Sequence, residues 1–252
     1  MDDAALFARM HASLRAFYGV VAAGASDSHL VEREGLIAAV VPATPDRSVC
    51  NGVVYDHPRT LASAIEELEH AYRRAGVRAW TVWVPPHDRE SAALLEERGH
   101  GLDAAPAAMA FELAGFDGVL NSAIEIDPDP DVADIGRLND LAYGYDGDLE
   151  RALAGLEPGT AQLYAARQGG HACGSAAAMD HDGDCCIAFV ATVPEMRGRG
   201  LASELLTRAL IDARERGCAT TSLQATKMGK PLYLRLGYRD LGPIEMWERR
   251  EP

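Results

Sequence analysis

A formal net charge of −14 leaves this chain of 252 residues without the basic surplus that nucleic acid or an anionic membrane surface calls for. No stretch approaches the roughly 18 to 20 continuous apolar residues of a membrane-spanning helix. The acidic start, Met1-Asp2-Asp3, lacks the basic flank of a signal peptide, so a cytoplasmic protein is expected, with no nucleic-acid or membrane partner. Cys50, Cys173, Cys185, Cys186 and Cys218 form neither a Cys-x-x-Cys pair nor a zinc-like spacing with histidine and read as reduced thiols. The eight histidines show no His-Glu-x-x-His or related spacing, and no metal is expected. Asp180-His181-Asp182-Gly183-Asp184 resembles part of a calcium loop but lacks the downstream glutamate, and reads as a hairpin turn.

What remains is an ordinary globular composition, 48% hydrophobic and 25% charged, long enough for one large domain or two smaller ones. Its periodicity predicts helices at 4–21, 61–75, 89–98, 131–143, 148–156, 200–216 and 231–236. Strand-like runs fall at 29–34, 36–41, 49–55, 78–84, 107–113, 161–167, 171–179, 185–193, 220–225 and 243–249. Gly76, Gly99, Gly217 and Gly237 each stop a helix. The order repeats. Arg73-Arg74-Ala75-Gly76 aligns with Arg214-Glu215-Arg216-Gly217, and Leu94-Leu95-Glu96-Glu97-Arg98-Gly99 with Leu232-Tyr233-Leu234-Arg235-Leu236-Gly237. An α/β fold of two related halves follows, residues 1–115 and 124–252, joined by a connector.

The run Arg197-Gly198-Arg199-Gly200-Leu201-Ala202 lies between a strand and a helix. Glycines there let a ligand approach the backbone, and the first amides of a helix have no partner inside it. Free N–H groups and the positive helix end then converge on one point, which suits a pyrophosphate. Neither a P-loop nor a Gly-x-Gly-x-x-Gly fits, since Ser203-Glu204 falls where the third glycine belongs.

The hexapeptide does match Arg/Gln-x-x-Gly-x-Gly/Ala, the pattern of the GNAT superfamily of N-acetyltransferases. Downstream, Tyr233-Leu234-Arg235-Leu236-Gly237-Tyr238 follows that family's Tyr-x-x-x-Gly-aromatic form. The resemblance covers about Ile124 to Arg249 and, more faintly, the first half. It implies a mixed-sheet GNAT fold and acetyl-CoA as acyl donor to the amine of a small molecule. By position, the amides of Arg197, Gly198, Arg199, Gly200, Leu201, Ala202 and Ser203 would hold the CoA pyrophosphate. Val190, Ala191 and Thr192 would pair with the pantetheine arm, one amide polarising the thioester carbonyl. Tyr233 would protonate the departing thiolate, with no covalent acyl-enzyme.

Two departures stand out. Thr226 occupies a position near which many relatives carry Asn and is a further cofactor-site candidate. The strand 185–193 has no acid to serve as base. By family position alone, the resemblance implies that Asp140, Tyr143, Tyr145 and Asp146 would line the acceptor pocket. In the first half the loop position reads Asp56-His57-Pro58-Arg59, and Leu95 replaces Tyr233, so that half reads as degenerate support. Trp80 and Trp83 read as core aromatics. A non-catalytic acetyl-CoA-binding sensor or scaffold is the alternative reading.

Overall fold

A computed structural model describes residues 1–251. The first half runs α1 (Asp3–Ala23), β1 (His29–Arg33), β2 (Leu36–Val40), β3 (Gly52–Tyr55), α2 (Pro58–Arg74), β4 (Ala79–Val84), α3 (Arg89–Glu97), β5 (Gly101–Ala104) and β6 (Ala107–Glu112). The second runs β7 (Glu125–Asp127), α4 (Val132–Tyr143), α5 (Asp148–Leu153), β8 (Gln162–Gln168), β9 (His171–His181), β10 (Asp184–Thr192), α6 (Leu201–Glu215), β11 (Thr220–Ala225), α7 (Lys230–Arg235), β12 (Arg239–Pro243) and β13 (Glu245–Arg250). The periodicity anticipates every helix and all strands except the short β5, β7 and β12. Strand β3 starts at Gly52, later than expected. Upstream, the buried Asn51 side chain accepts from Val41 N–H and donates to the carbonyls of Thr44 and Arg47, holding 44–51 as turns.

Two sheets form, ordered β1-β2-β3-β4-β13-β5 and β12-β6-β11-β10-β9-β8-β7. Each half therefore donates its last strand to the other's sheet. β13 lies antiparallel between β4 and β5, and β6 antiparallel between β11 and β12. β6 and β13 thus cross the boundary expected between 1–115 and 124–252. Between β5 and β6 the chain crosses from one sheet to the other through Ala105-Pro106. The second crossover, at Ile244, donates its N–H to the Pro106 carbonyl at 2.9 Å, tying the two crossings together.

Alternation along the strands assigns the layers. Leu36, Val40 and Val53 face Leu61, Ile65 and Leu68 of α2 on the outside of the first sheet. Ile37, Ala39, Val54 and Trp83 face inward to α1, which presents Met10, Leu14 and Tyr18. On the outside of the second sheet, Leu205, Leu206 and Leu210 of α6 pack on Tyr164, Ile187 and Leu223. Helix α1 thus lies between the sheets and is fixed to the second by a buried polar joint. Asp184, 1% exposed, accepts from Ser13 Oγ of α1 at 2.7 Å and from Thr220 and Ser222 of β11. Such a carboxylate tolerates burial because its lone pairs are engaged. All five cysteines are buried and unpaired. Asp182 and Gly183, both at positive φ, make the two-residue turn between β9 and β10.

Candidate functional site

β10 and β11 are parallel neighbours only where Asp184–Cys186 face Thr220–Ser222. Beyond that, Ile187–Thr192 leave β11, and a gap opens in the sheet. In the first half, by contrast, three of the four residues of β3 stay paired to β4. The gap deepens into a cleft of about 610 Å³ between β10, the start of α6, the end of β11 and α7.

A bulge shapes the cleft wall. The register of β10 on β9 shifts between Ala188 and Ala191, and Phe189 sits at φ +50°, unusual for a bulky residue. Its carbonyl is clamped by Asn139 Nδ2 at 3.1 Å and Ser175 Oγ at 3.0 Å, and Asn139 also donates to the Ile135 carbonyl at 2.8 Å. Asn139 and Ser175 are buried. The sequence reading missed this pair.

At the far end of the cleft Gly198 and Gly200 hold φ of +76° and +84°, a region that favours glycine. A Cβ on either would meet nothing within 4 Å, so the space above both is open. Helix α6 starts at Gly200 with no side-chain cap, and its first intrahelical bond is Glu204 N–H to the Gly200 carbonyl. The amides of Leu201, Ala202 and Ser203, in the first turn of α6, have no partner inside the helix, and all three residues line the cleft. The lining contains Arg197 and Arg235 and, among the described residues, no carboxylate, in a chain with 38 acids.

The sequence-derived residues separate into those that line the cleft and those that do not. Val190, Ala191, Thr192, Arg197, Gly198, Gly200, Leu201, Ala202, Ser203, Thr226 and Tyr233 all line it. Arg199 does not; its guanidinium lies 3.5 Å from the Glu195 carbonyl. Arg197 spends donors on the carbonyls of Thr192 and Ala142, at 3.3 and 2.9 Å, and so ties the end of α4 to the end of β10. Thr226 Oγ1 accepts Gly229 N–H at 3.1 Å where α7 begins.

Tyr233 is 8% exposed, packs edge-on to Tyr238 at 5.7 Å and makes no hydrogen bond through its hydroxyl among the described residues. Burial pushes its pKa up, so the phenol stays protonated across the neutral range. Leu95, its first-half counterpart, is fully buried hydrocarbon, and Asp56 is ion-paired to Arg15 at 2.6 Å.

A second cavity, about 600 Å³, lies between the halves and shares Tyr143, Ile187–Val190, Gln224 and Thr226 with the cleft. Tyr143 donates to the Val190 carbonyl at 3.2 Å at the boundary. Tyr143 and Tyr145 line this cavity, as does Trp83, which also donates Nε1–H to Tyr18 Oη at 2.6 Å. Asp140 does not: buried, it accepts Leu149 and Glu150 N–H at 2.9 and 3.0 Å and caps α5. Asp146 lies outside the lining as well.

A mixed sheet parted beside a glycine-bearing helix start, with a tyrosine facing the parting, is the architecture of the GNAT acyltransferases. Residues 159–240 match the family model described as Acetyltransferase (GNAT) domain, and the fold of the chain is that of two GNAT-like halves. The fold of the whole chain agrees. A GCN5-related N-acetyltransferase from Kribbella flavida superposes with TM-score 0.68 at 18% identity, covering 98% of this chain and 96% of that one. One from Sphaerobacter thermophilus gives 0.61 at 18%, covering 95% and 93%. A tandem GNAT protein from the clavulanic acid biosynthesis pathway gives 0.58 at 13%, covering 95% and 96%. No curated protein matches the chain in sequence.

Proposed function

We propose that the protein transfers an acetyl group from acetyl-CoA to the amine of a small molecule by direct attack. The observation that carries this is the acid-free cleft running from the free amides of α6, past the bulge in β10, to the Tyr233 hydroxyl. When bound, acetyl-CoA supplies an activated acyl carbon and a thiolate leaving group. The amides of Leu201–Ser203 hold its pyrophosphate, helped by the helix dipole. The exposed edge of β10 at Val190–Thr192 pairs with the pantetheine arm, and an amide at the bulge polarises the thioester carbonyl.

The acceptor enters from the second cavity. Its ammonium loses a proton to solvent, and the nitrogen lone pair forms the C–N bond as the C–S bond breaks. The acylated nitrogen sheds its second proton to solvent while Tyr233 gives its proton to the sulfur and is reprotonated from solvent, so the net yield is amide, CoA thiol and one proton. With unpaired buried cysteines, a reducing compartment such as the cytoplasm suits the protein.

A thermal shift with acetyl-CoA, joined to a thiol-release assay over an amine panel, tests the reading. Amine-dependent thiol release is expected. Stabilisation by acetyl-CoA without release from any amine would favour a sensor or scaffold, a reading motivated by the absence of a carboxylate among the described lining residues of the cleft.

A further inference from the structure

We infer that the acceptor is a primary amine carried on an aromatic or similarly flat apolar body, gripped in the cavity between the halves. The inference rests on the acyltransferase reading for its chemistry, but on the cavity for its class. Aromatic side chains are scarce here, 3 Trp, 8 Tyr and 5 Phe, yet five of those 16 line this one cavity: Phe17, Trp83, Tyr143, Tyr145 and Phe189. They come from both halves. Phe17 of α1 meets Phe189 of the bulge at 5.6 Å between ring centres, and Tyr143 stacks on Tyr145 at 5.9 Å. Ring faces at these positions favour offset or edge contacts with another ring. The volume, about 600 Å³, falls in the ordinary range for a small-molecule site.

The charges around the cavity point the same way. Its carboxylates are Asp103 and Glu248, against the cations Arg47, Lys227 and Arg250. Glu248 is paired with Arg250, and Arg47 with Asp148. Only Asp103 and Lys227 have no ion-pair partner among the described residues. A polyamine or aminoglycoside, with several ammonium groups, would need several free carboxylates, and the cavity offers one. Asp103 and Lys227 offset one another, which leaves the cavity no surplus of free carboxylate and suits an apolar body with one reacting nitrogen. The shared walls at Phe189, Val190, Gln224 and Thr226 orient the molecule: its nitrogen points through them to the acyl carbon, and its ring stays among the aromatics. The first half then acts as the specificity wall, which gives its retention a purpose.

Calorimetry on the full chain with CoA present, titrating tryptamine, 2-phenylethylamine, spermidine and glycinamide, tests this directly. The aryl amines should bind one per chain and be acetylated with kcat/KM at least about a hundredfold above spermidine. Phe17→Leu keeps bulk but removes the ring; it should raise KM for tryptamine several-fold to tenfold while leaving acetyl-CoA affinity unchanged. Ala104→Phe, which narrows the cavity from β5, should do the same if Phe17→Leu misfolds. Preference for spermidine or glycinamide, or a KM unmoved in a folded variant, overturns the proposal. Stoichiometric tryptamine binding that Phe17→Leu weakens, without acetylation, upholds the cavity's class and removes the enzyme reading instead.

Discussion

The side-chain amide of Asn139 donates to the carbonyl of Phe189 across 3.1 Å, and Ser175 Oγ reaches the same oxygen at 3.0 Å. Those two bonds hold a bulky residue at positive φ in the middle of a strand. Such a conformation costs roughly 1 to 3 kcal/mol and persists only where the surroundings impose it. Its effect is to turn the next stretch of β10 edge toward the cleft. Asn139→Leu keeps the volume and deletes the clamp. Turnover should fall about tenfold to a hundredfold as the bulge relaxes, while acetyl-CoA affinity, set at the far end by α6, changes little. Asn139→Gln should recover none of it, because the longer arm overshoots the carbonyl. Undiminished kcat in Asn139→Leu would leave the clamp with a purely structural role.

The exchanged strands make the halves inseparable. Residues 1–115 alone would lack β13, leaving β4 and β5 with open edges, and 116–252 alone would lack β6 between β11 and β12. Unpaired central strands template aggregation. Each fragment expressed singly should be insoluble or unfolded by circular dichroism, and co-expression should restore one complex. A soluble, cooperatively melting 116–252 fragment would contradict this.

Binding of acetyl-CoA should be confined to the second half, because only that half has a glycine loop at a helix start. Calorimetry should give a stoichiometry near one per chain, and Gly200→Glu should abolish binding by filling the open space and adding like charge to a polyphosphate site. Two equivalent sites, or full affinity in the variant, would remove the loop from the mechanism.

Helices and long strands were legible because apolar spacing of three, four or two records which face is buried. That the loop and Tyr233 would face one cleft was legible because both lie at fixed spacings in a motif read along the chain. The strand exchange was not read. Pairing between sheets is a non-local choice that no spacing within a segment encodes. The clamp by Asn139 escaped for a related cause: a polar residue on a helix reads as solvent-facing until its strand partner is known. Asp140 shows the converse, since a carboxylate near a pocket was spent capping the next helix.

Buried His100 gives the fold a pH dependence of calculable sign. It is 4% exposed, neither ring nitrogen has a hydrogen-bond partner among the described residues, and it stands edge-on to Trp80 at 4.5 Å. Burial, then the nearby Arg249 charge, lowers its pKa from 6.5 to about 4. Between those values the unfolded chain binds a proton that the folded one refuses, so stability is full above pH 6.5 and declines toward pH 4. The loss is of the order of 3 kcal/mol. Urea melts at pH 7.0 and 4.5 should show it, and His100→Phe should reduce the difference. An equal pH difference in that variant would assign the loss to other groups.

Tyr233 offers the sharpest test of mechanism. The phenol is buried to 8% exposure, lines the cleft and makes no hydroxyl hydrogen bond to another described residue, so Tyr233→Phe removes one oxygen and no hydrogen bond among those residues. Its ring still packs against Tyr238, and the melting temperature should hold. Loss of a general acid costs on the order of a hundredfold to ten-thousandfold in rate. Acetyl-CoA affinity should barely move, since the pyrophosphate contacts lie on α6. A residue kept only for packing would tolerate the change with turnover intact. The leaving group separates the outcomes further: an acyl donor whose thiol is more acidic needs less help to depart, so the variant's deficit should shrink with it. A full rate in Tyr233→Phe, or a deficit indifferent to the thiol's acidity, would transfer the proton donation to water.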